Sequence, residues 1–280
     1  MRSTCFACLV FLLGLSTRLL AQTRPVADGS SAAAPLVIGQ TFTLSSKVLG
    51  ETRRINVYLP AAYQDSATLR LPVLYMPDGG LKEDFLHVAG LLQVLTGNGG
   101  MRPFILVGIE NTARRRDLTG PTTVEKDKKI APRVGGSATF RQFMRTELMP
   151  EVTKRYRTTA EKAIVGESLA GLFVLETLLL EPDLFDTYLA FDPSLWWNNE
   201  QLVQQGATLL AKSSQPKTLY VASSNEPGIV EPLARMEKVL QSKAARHLQW
   251  HYERMPGETH DSIYHPAALR AFRVVFKPGQ

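Results

Sequence analysis

The stretch Ala163-Ile164-Val165-Gly166-Glu167-Ser168-Leu169-Ala170-Gly171-Leu172 decides the fold. An apolar run ends here at a glycine, and a helical pattern begins directly after the serine. A serine at such a junction needs small neighbours two residues before and after it, because strand and helix approach closely there. Gly166 and Ala170 meet that need, and Gly171 follows. The stretch predicts a strained strand–turn–helix junction with the Ser168 hydroxyl above a sheet; an ordinary serine N-cap is the alternative.

The sequence on both sides of this junction alternates between strand and helix patterns. Continuous apolar runs predict buried parallel strands at 72–76, 104–109, 163–165, 188–191 and 219–222. Helical periodicity occurs at 85–95, 139–156, 169–180, 201–211 and 229–243, and a final strand and helix are predicted at 247–255 and 267–276. Two leading segments, 40–46 and 54–59, alternate as antiparallel strands do. The prediction is an α/β fold: a mostly parallel central sheet with antiparallel leading strands and helices on both faces.

Residues 1–21 predict a signal peptide, so we expect a periplasmic or secreted protein. Arg2 precedes an apolar run at 6–15 that is too short to span a membrane, and Ala21 is the small residue that cleavage requires. An uncleaved interfacial anchor is the alternative. Residues 22–36 predict a flexible lead-in, and residues 37–280 predict one domain.

Removal of residues 1–21 would leave a mature protein without cysteine and with a lower net charge. The chain has 2 cysteines, Cys5 and Cys8, and both would be lost. This excludes a disulfide scaffold, a cysteine nucleophile and a thiolate metal site together. The formal charge of +6 would fall to +4 with the loss of Arg2 and Arg18.

A serine hydroxyl is a weak nucleophile until a base takes its proton, so the candidate base must be a histidine. The chain has 5: His87, His247, His251, His260 and His265. His260 lies in the loop between the final strand and the final helix, where the chain order serine–acid–histidine puts the base. His265 precedes a proline at a helix start and is expected to be structural. We predict His260 as the base.

The acid that orients the base is expected just after the strand at 219–222, which points to Glu226. Glu231 and Asp192, the latter after the strand at 188–191, are the alternatives. An oxyanion hole needs two backbone N–H donors. We predict Leu169, the residue after the serine, as one donor.

The second oxyanion donor is predicted in the loop that follows the strand at 72–76. Gly79 and Gly80 stand there, and glycines let the backbone approach a ligand closely.

With these residues in place, the chain resembles the putative-esterase (esterase D/enterochelin-esterase-like) family of α/β hydrolases. The resemblance is carried by residues 72–80, 107–112, 116–119, 166–172, 193–197 and 258–260. It implies an α/β-hydrolase fold, Ser168 as nucleophile, His260 as base, and ester hydrolysis through an acyl-enzyme without metal or other cofactor. Members include esterases that open siderophore trilactones, other small-ester hydrolases and acyltransferases, and some use a Ser–His dyad. Ala170 departs from the family's usual glycine.

Two pairs of residues are candidate substrate contacts. Trp196 and Trp197 follow a strand end and are expected to wall the substrate pocket, although core packing explains them equally well. Arg116 and Asp117 lie in a basic loop and are expected to form an electropositive rim for an anionic substrate such as a ferric siderophore. Lys126, Lys128 and Lys129 extend the charge, and a solvated surface loop is the alternative.

The expected function is therefore serine ester hydrolysis, with a small-molecule ester as the binding partner. Nucleic acid is not expected, because the basic residues are not interleaved with aromatic ones. An integral membrane span is not expected either, and partner proteins are unknown. A non-catalytic binding protein on the same fold, or an acyltransferase, is the alternative.

Overall fold

The computed structural model describes residues 33–131 and 133–279. Within them an 8-stranded sheet has the order β1-β2-β4-β3-β5-β6-β7-β8. The strands are β1 (Gln40–Ser46), β2 (Glu51–Tyr58), β3 (Leu71–Pro77), β4 (Ile105–Ile109), β5 (Thr158–Glu167), β6 (Thr187–Phe191), β7 (Lys217–Ser223) and β8 (Leu248–Arg254). β2 pairs antiparallel with β1 and β4, and the other neighbours pair parallel. The predicted sheet is confirmed.

The helices lie where the sequence has helical periodicity and in three short loop segments. They are α1 (Ala61–Gln64), α2 (Phe85–Gly97), α3 (Arg114–Asp117), α4 (Glu125–Ile130), α5 (Ser137–Phe143), α6 (Met149–Arg155), α7 (Leu169–Leu180), α8 (Trp197–Leu210), α9 (Pro227–Leu240) and α10 (Tyr264–Val275). A π-helical turn, Met144–Leu148, joins α5 to α6, and a 3-10 turn, Lys243–Ala245, follows α9.

The core lies on both faces of the sheet. Along β3, Val73 and Tyr75 face one layer, whereas Leu74 and Met76 face the other, because successive side chains alternate across a strand. The layer on the first face comes mainly from α5 to α9, and the opposite layer comes from α2 and α10. Burial on both faces explains why these strands are continuous apolar runs, and it confirms that helices cover both faces.

Two features differ from the sequence prediction. The helices α1, α3 and α4 were not predicted, because segments of four to six residues are too short to show a helical period. α8 begins before the predicted residue 201, but its backbone is left-handed from Asn198 to Glu200, with φ between 48° and 60°.

The predicted boundaries near the amino terminus stay predictions. The predicted signal peptide, residues 1–21, and most of the lead-in lie outside the described residues. Residues 38–280 form one compact unit. No helix in the described part of the chain is both long enough and apolar enough to cross a membrane.

Candidate active site

Ser168 occupies a strained turn between β5 and α7. Its backbone has φ 59° and ψ −120°, a left-handed conformation that non-glycine residues rarely adopt. A Cβ at Gly166 would lie 2.7 Å from the Ala170 Cβ, so the glycine lets the strand and helix close up around Ser168. Ala170 is tolerated because Gly166 has no side chain. The predicted junction is present, and it raises the Ser168 hydroxyl at the carboxyl end of β5.

His260 connects Ser168 to a carboxylate. Its Nε2 lies 3.0 Å from Ser168 Oγ, and its Nδ1 lies 3.0 Å from Asp192 Oδ2. An ionised carboxylate can only accept, so Nδ1 carries the proton and Nε2 is left to accept from the serine hydroxyl. His260 lies in the loop between β8 and α10, as predicted. The arrangement can remove the serine proton and hold the positive charge that results.

Asp192 is held rigidly at the end of β6. Its side chain is fully buried, and its backbone has φ 41°. The Ser224 backbone N–H donates to Oδ1 and the Ser224 hydroxyl donates to Oδ2, both at 2.6 Å. A buried carboxylate with three hydrogen bonds is fixed in position, so it can fix the imidazole in turn.

The prediction of Glu226 as the acid is wrong. Glu226 stands at the start of α9, where its side chain is exposed and only its backbone N–H reaches Ser224 Oγ, at 3.3 Å. Glu231, the first alternative, is exposed on α9. Asp192, the second alternative, contacts His260 because β6 lies next to the nucleophile's strand β5 in the sheet, whereas β7 is one strand further away.

Glu167 is a second carboxyl group beside the histidine. Its Oε1 lies 3.4 Å from His260 Nε2. Burial raises the pKa of the Glu167 carboxyl to about 8, against the opposing effect of His260 and Arg114. The hydrogen bond to Asp192 raises the pKa of His260 above its usual value, and Glu167 adds to this.

Ligand-type atoms of Glu167, Asp192 and His260 lie within 4.8 Å of one another, a spacing that could hold a metal ion. Both ring nitrogens of His260 and both oxygens of Asp192 already have hydrogen-bonding partners, however. The donor set therefore fits a proton relay better than a metal site.

The Leu169 donor of the oxyanion hole stays a prediction, whereas the prediction of Gly79 and Gly80 for the second donor is wrong. Leu169 is the first residue of α7, where a backbone N–H has no acceptor within the helix. The Gly79 N–H donates to the Ile109 carbonyl at 3.0 Å, and the Gly80 N–H donates to Glu83 Oε2 at 2.7 Å. Both glycine amides are therefore engaged inside the protein.

Gly79 is a glycine for a packing reason. A Cβ there would lie 2.3 Å from the backbone of β4 at Gly108, so no larger residue fits.

Arg116 and Asp117 are structural ion-pair residues, so their prediction as substrate contacts is wrong. Arg116 donates to Glu51 at 2.7 Å and to Asp117 at 2.6 Å, and Asp117 also pairs with the buried Arg53. Asp117 is 1% exposed. These contacts lower the pKa of Glu51 to about 2, chiefly through the hydrogen bond from Arg116. The charges of Arg116 and Asp117 are therefore balanced within the protein, whereas Arg115, Lys126, Lys128 and Lys129 are exposed.

Arg114, from the same loop, is held in a similar way. It donates to both oxygens of Asp78, at 2.7 and 2.8 Å, and Asn111 also donates to Asp78. The guanidinium remains about one-third exposed.

Trp196 and Trp197 differ in how deeply they are buried. Trp197 is buried in the core and its Nε1 donates to the Gly120 carbonyl at 2.9 Å, so its prediction as a pocket wall is wrong. Trp196 is half-buried against the same core and keeps part of its ring accessible.

Three site residues were not singled out by sequence reasoning. Ser224 donates a hydrogen bond to Asp192. Ser194 supports the Ser168 turn, because its backbone N–H donates to the Ser168 carbonyl at 3.1 Å. Glu167 faces the histidine. All three lie at the carboxyl ends of strands or just beyond them, which is the only signal that could have found them.

Comparison with known proteins finds similarity over most of the chain. The family described as "Putative esterase" matches residues 46–269. The ferri-bacillibactin esterase BesA of Bacillus subtilis is 27% identical over 92% of this chain and 96% of that protein. The siderophore triacetylfusarinine C esterase of Aspergillus fumigatus is 33% identical over 59% of each chain.

A solved structure agrees with the fold. The IroE-like serine hydrolase from Shewanella oneidensis has a TM-score of 0.78 at 31% identity, over 85% of this chain and 80% of that one. The likeness confirms the predicted α/β-hydrolase fold. The segment matched by the family contains Ser168, Asp192 and His260.

Proposed function

The chain belongs to the putative esterase family and is a carboxylic-ester hydrolase, and on that basis we propose that Ser168, His260 and Asp192 are its catalytic triad and that siderophore esters are its substrates. The observation that carries the triad is the unbroken relay of two 3.0 Å contacts, from Ser168 Oγ to His260 Nε2 and from Nδ1 to Asp192. The left-handed turn at Ser168 supports the same assignment.

In the first half of the reaction, Ser168 Oγ attacks the ester carbonyl carbon while its proton passes to His260 Nε2. Asp192 stabilises the imidazolium that forms. The Leu169 N–H donates to the oxyanion of the tetrahedral intermediate. The carbon–oxygen bond to the alcohol then breaks, and the alcohol leaves with the proton from Nε2.

In the second half, water hydrolyses the acyl-enzyme. His260 takes a proton from the water, the hydroxide attacks the acyl carbon, and Ser168 Oγ leaves with the proton from Nε2. The products are the carboxylic acid and the free enzyme. Each step uses the same two contacts of His260, so the arrangement needs no movement between the halves.

The support for a siderophore ester comes from the relatives, one of which is named as a ferri-bacillibactin esterase and another as a siderophore triacetylfusarinine C esterase. We expect kcat/KM for a ferric trilactone siderophore to exceed that for a neutral feruloyl or acetyl ester by at least about tenfold, a difference of about 1.4 kcal/mol in transition-state binding. Both substrates are assayed with the same full-length preparation. Faster turnover of the neutral esters would reject the siderophore assignment and leave the triad untouched.

We also propose that the protein is exported by a signal peptide at residues 1–21. The support is the sequence: a basic start, a short apolar run and a small residue at Ala21. Expression in a bacterial host is expected to give a periplasmic protein that begins at Gln22, as measured by intact mass. Full-length protein retained in the cytoplasm would contradict export.

A further inference from the structure

We propose that Glu167 is a positioning residue for His260, a second carboxyl group that acts on the imidazole from the edge opposite Asp192. This inference rests on the proposed function, in which His260 is the base. Its geometric basis lies at the end of β5, where Glu167 Oε1 is 3.4 Å from His260 Nε2. The same nitrogen lies 3.0 Å from Ser168 Oγ, so Glu167 borders the path of the transferred proton.

The environment of Glu167 argues for a role in the reaction. Its side chain is 15% exposed, and Oε1 forms no hydrogen bond with any residue of the described ranges. A buried oxygen without a hydrogen bond costs stability, and such atoms in native proteins call for a functional explanation. The polar atom beside Glu167 Oε1 is His260 Nε2, and the imidazole becomes positively charged when Nε2 takes the serine proton.

Other charged and titratable groups face the pair. Asp192 and Asp261 raise the pKa of His260. Asp192 and Asp78 raise the pKa of Glu167, whereas Arg114 lowers it. Glu167 in turn raises the pKa of the buried Tyr264. Arg114 is the nearby cation, but both of its hydrogen bonds to carboxylate go to Asp78. His260 is therefore the cation that Glu167 is placed to stabilise, and the two groups titrate as a coupled pair.

The consequence concerns the pH at which His260 becomes a neutral base. The first proton that this coupled pair binds as the pH falls is shared between His260 and the Glu167 carboxyl, whose pKa burial raises to about 8. When His260 holds that proton, the Glu167 carboxylate stabilises the imidazolium, so Glu167 raises the pH at which His260 becomes charged. Replacing Glu167 with glutamine keeps the shape and removes the charge, so the pKa of His260 should fall. Two charges 3.4 Å apart shift a pKa by about one unit when water screens them; the burial of Glu167 strengthens this interaction and the sharing of the proton weakens it, so we expect a shift of about one pH unit.

The experiment is an NMR titration of the His260 ring nitrogens in the full-length protein. In E167Q, we expect the His260 pKa to fall by about one unit, and the acid limb of the kcat/KM profile to move to lower pH by the same amount. The matched control is E125Q, which removes the same charge from an exposed residue of α4. That variant should leave the His260 pKa unchanged.

An unchanged or raised His260 pKa in E167Q would overturn the inference. If E167Q does not fold, Glu167→Asp retracts the carboxylate by one methylene, and a smaller fall in the same pKa is expected; an unchanged pKa in E167D would again overturn it. The titration does not depend on turnover. If the protein hydrolysed no ester, the proposed function would be refuted, but the titration would still show whether Glu167 raises the pKa of His260.

Discussion

Replacing Asp192 with asparagine is expected to lower kcat for ester hydrolysis by about 10³- to 10⁴-fold. The Ser224 N–H donates to Oδ1, so the asparagine oxygen must take that position and its NH2 group must face His260 Nδ1. That NH2 can only donate, so Nδ1 must accept and the ring proton moves to Nε2. His260 then presents N–H to Ser168 and can no longer take its proton.

The matched control is Glu226→Gln, the same chemical change at the carboxylate that sequence position favoured. Glu226 is exposed and its side chain does not contact His260, so kcat should stay within about twofold of the wild type. Steady-state kinetics on a p-nitrophenyl ester measure both variants. A larger loss in E226Q than in D192N would restore the sequence-based assignment and refute Asp192.

Ser168→Ala is expected to reduce kcat by about 10⁴-fold or more, because it removes the hydroxyl that contacts His260 Nε2. The same variant should lose covalent labelling by a fluorophosphonate probe, which intact mass detects as a single adduct on the wild type. Both measurements follow from the 3.0 Å contact between Ser168 Oγ and His260 Nε2.

A second serine provides a strict control for that experiment. Ser194 Oγ lies 3.5 Å from Ser168 Oγ, but the residue is almost fully buried. We expect Ser194→Ala to remain labelled by the probe and to keep kcat within about tenfold. Undiminished hydrolysis in S168A, or labelling that disappears in S194A instead, would refute Ser168 as the nucleophile.

Local patterns were sufficient for the sheet and the serine turn. β1 begins and ends at the residues that alternation predicts, and α7 matches its predicted range. Ser168 and His260 were also predictable, because each depends on which strand end it follows along the chain. The short helices α3 and α4 were not, since they have too few residues to show a period.

Side-chain pairing across the sheet was not predictable from the sequence. The expected position of the acid after β7 favoured Glu226, but Asp192 also lies beyond the carboxyl end of a parallel strand, so position along the chain does not settle the choice. The choice is made by the order of β5, β6 and β7 and by Ser224, which holds Asp192 from the neighbouring strand end. For the same reason, Arg116 and Asp117 looked available for substrate until Glu51 and Arg53, from β2, were seen to pair with them.

The sequence by itself determined the class of the fold, the strained turn at Ser168 and the loop that carries His260. Those features depend on residue types and spacing within one segment, where backbone sterics and hydrophobic periodicity act locally. Only the tertiary structure decided which acid reaches the histidine, that the Gly79 and Gly80 amides are engaged, and that Glu167 faces Nε2. Except for the local contact of Gly80 with Glu83, each of those depends on distances of about 3 Å between segments far apart in the chain, which sequence spacing does not encode.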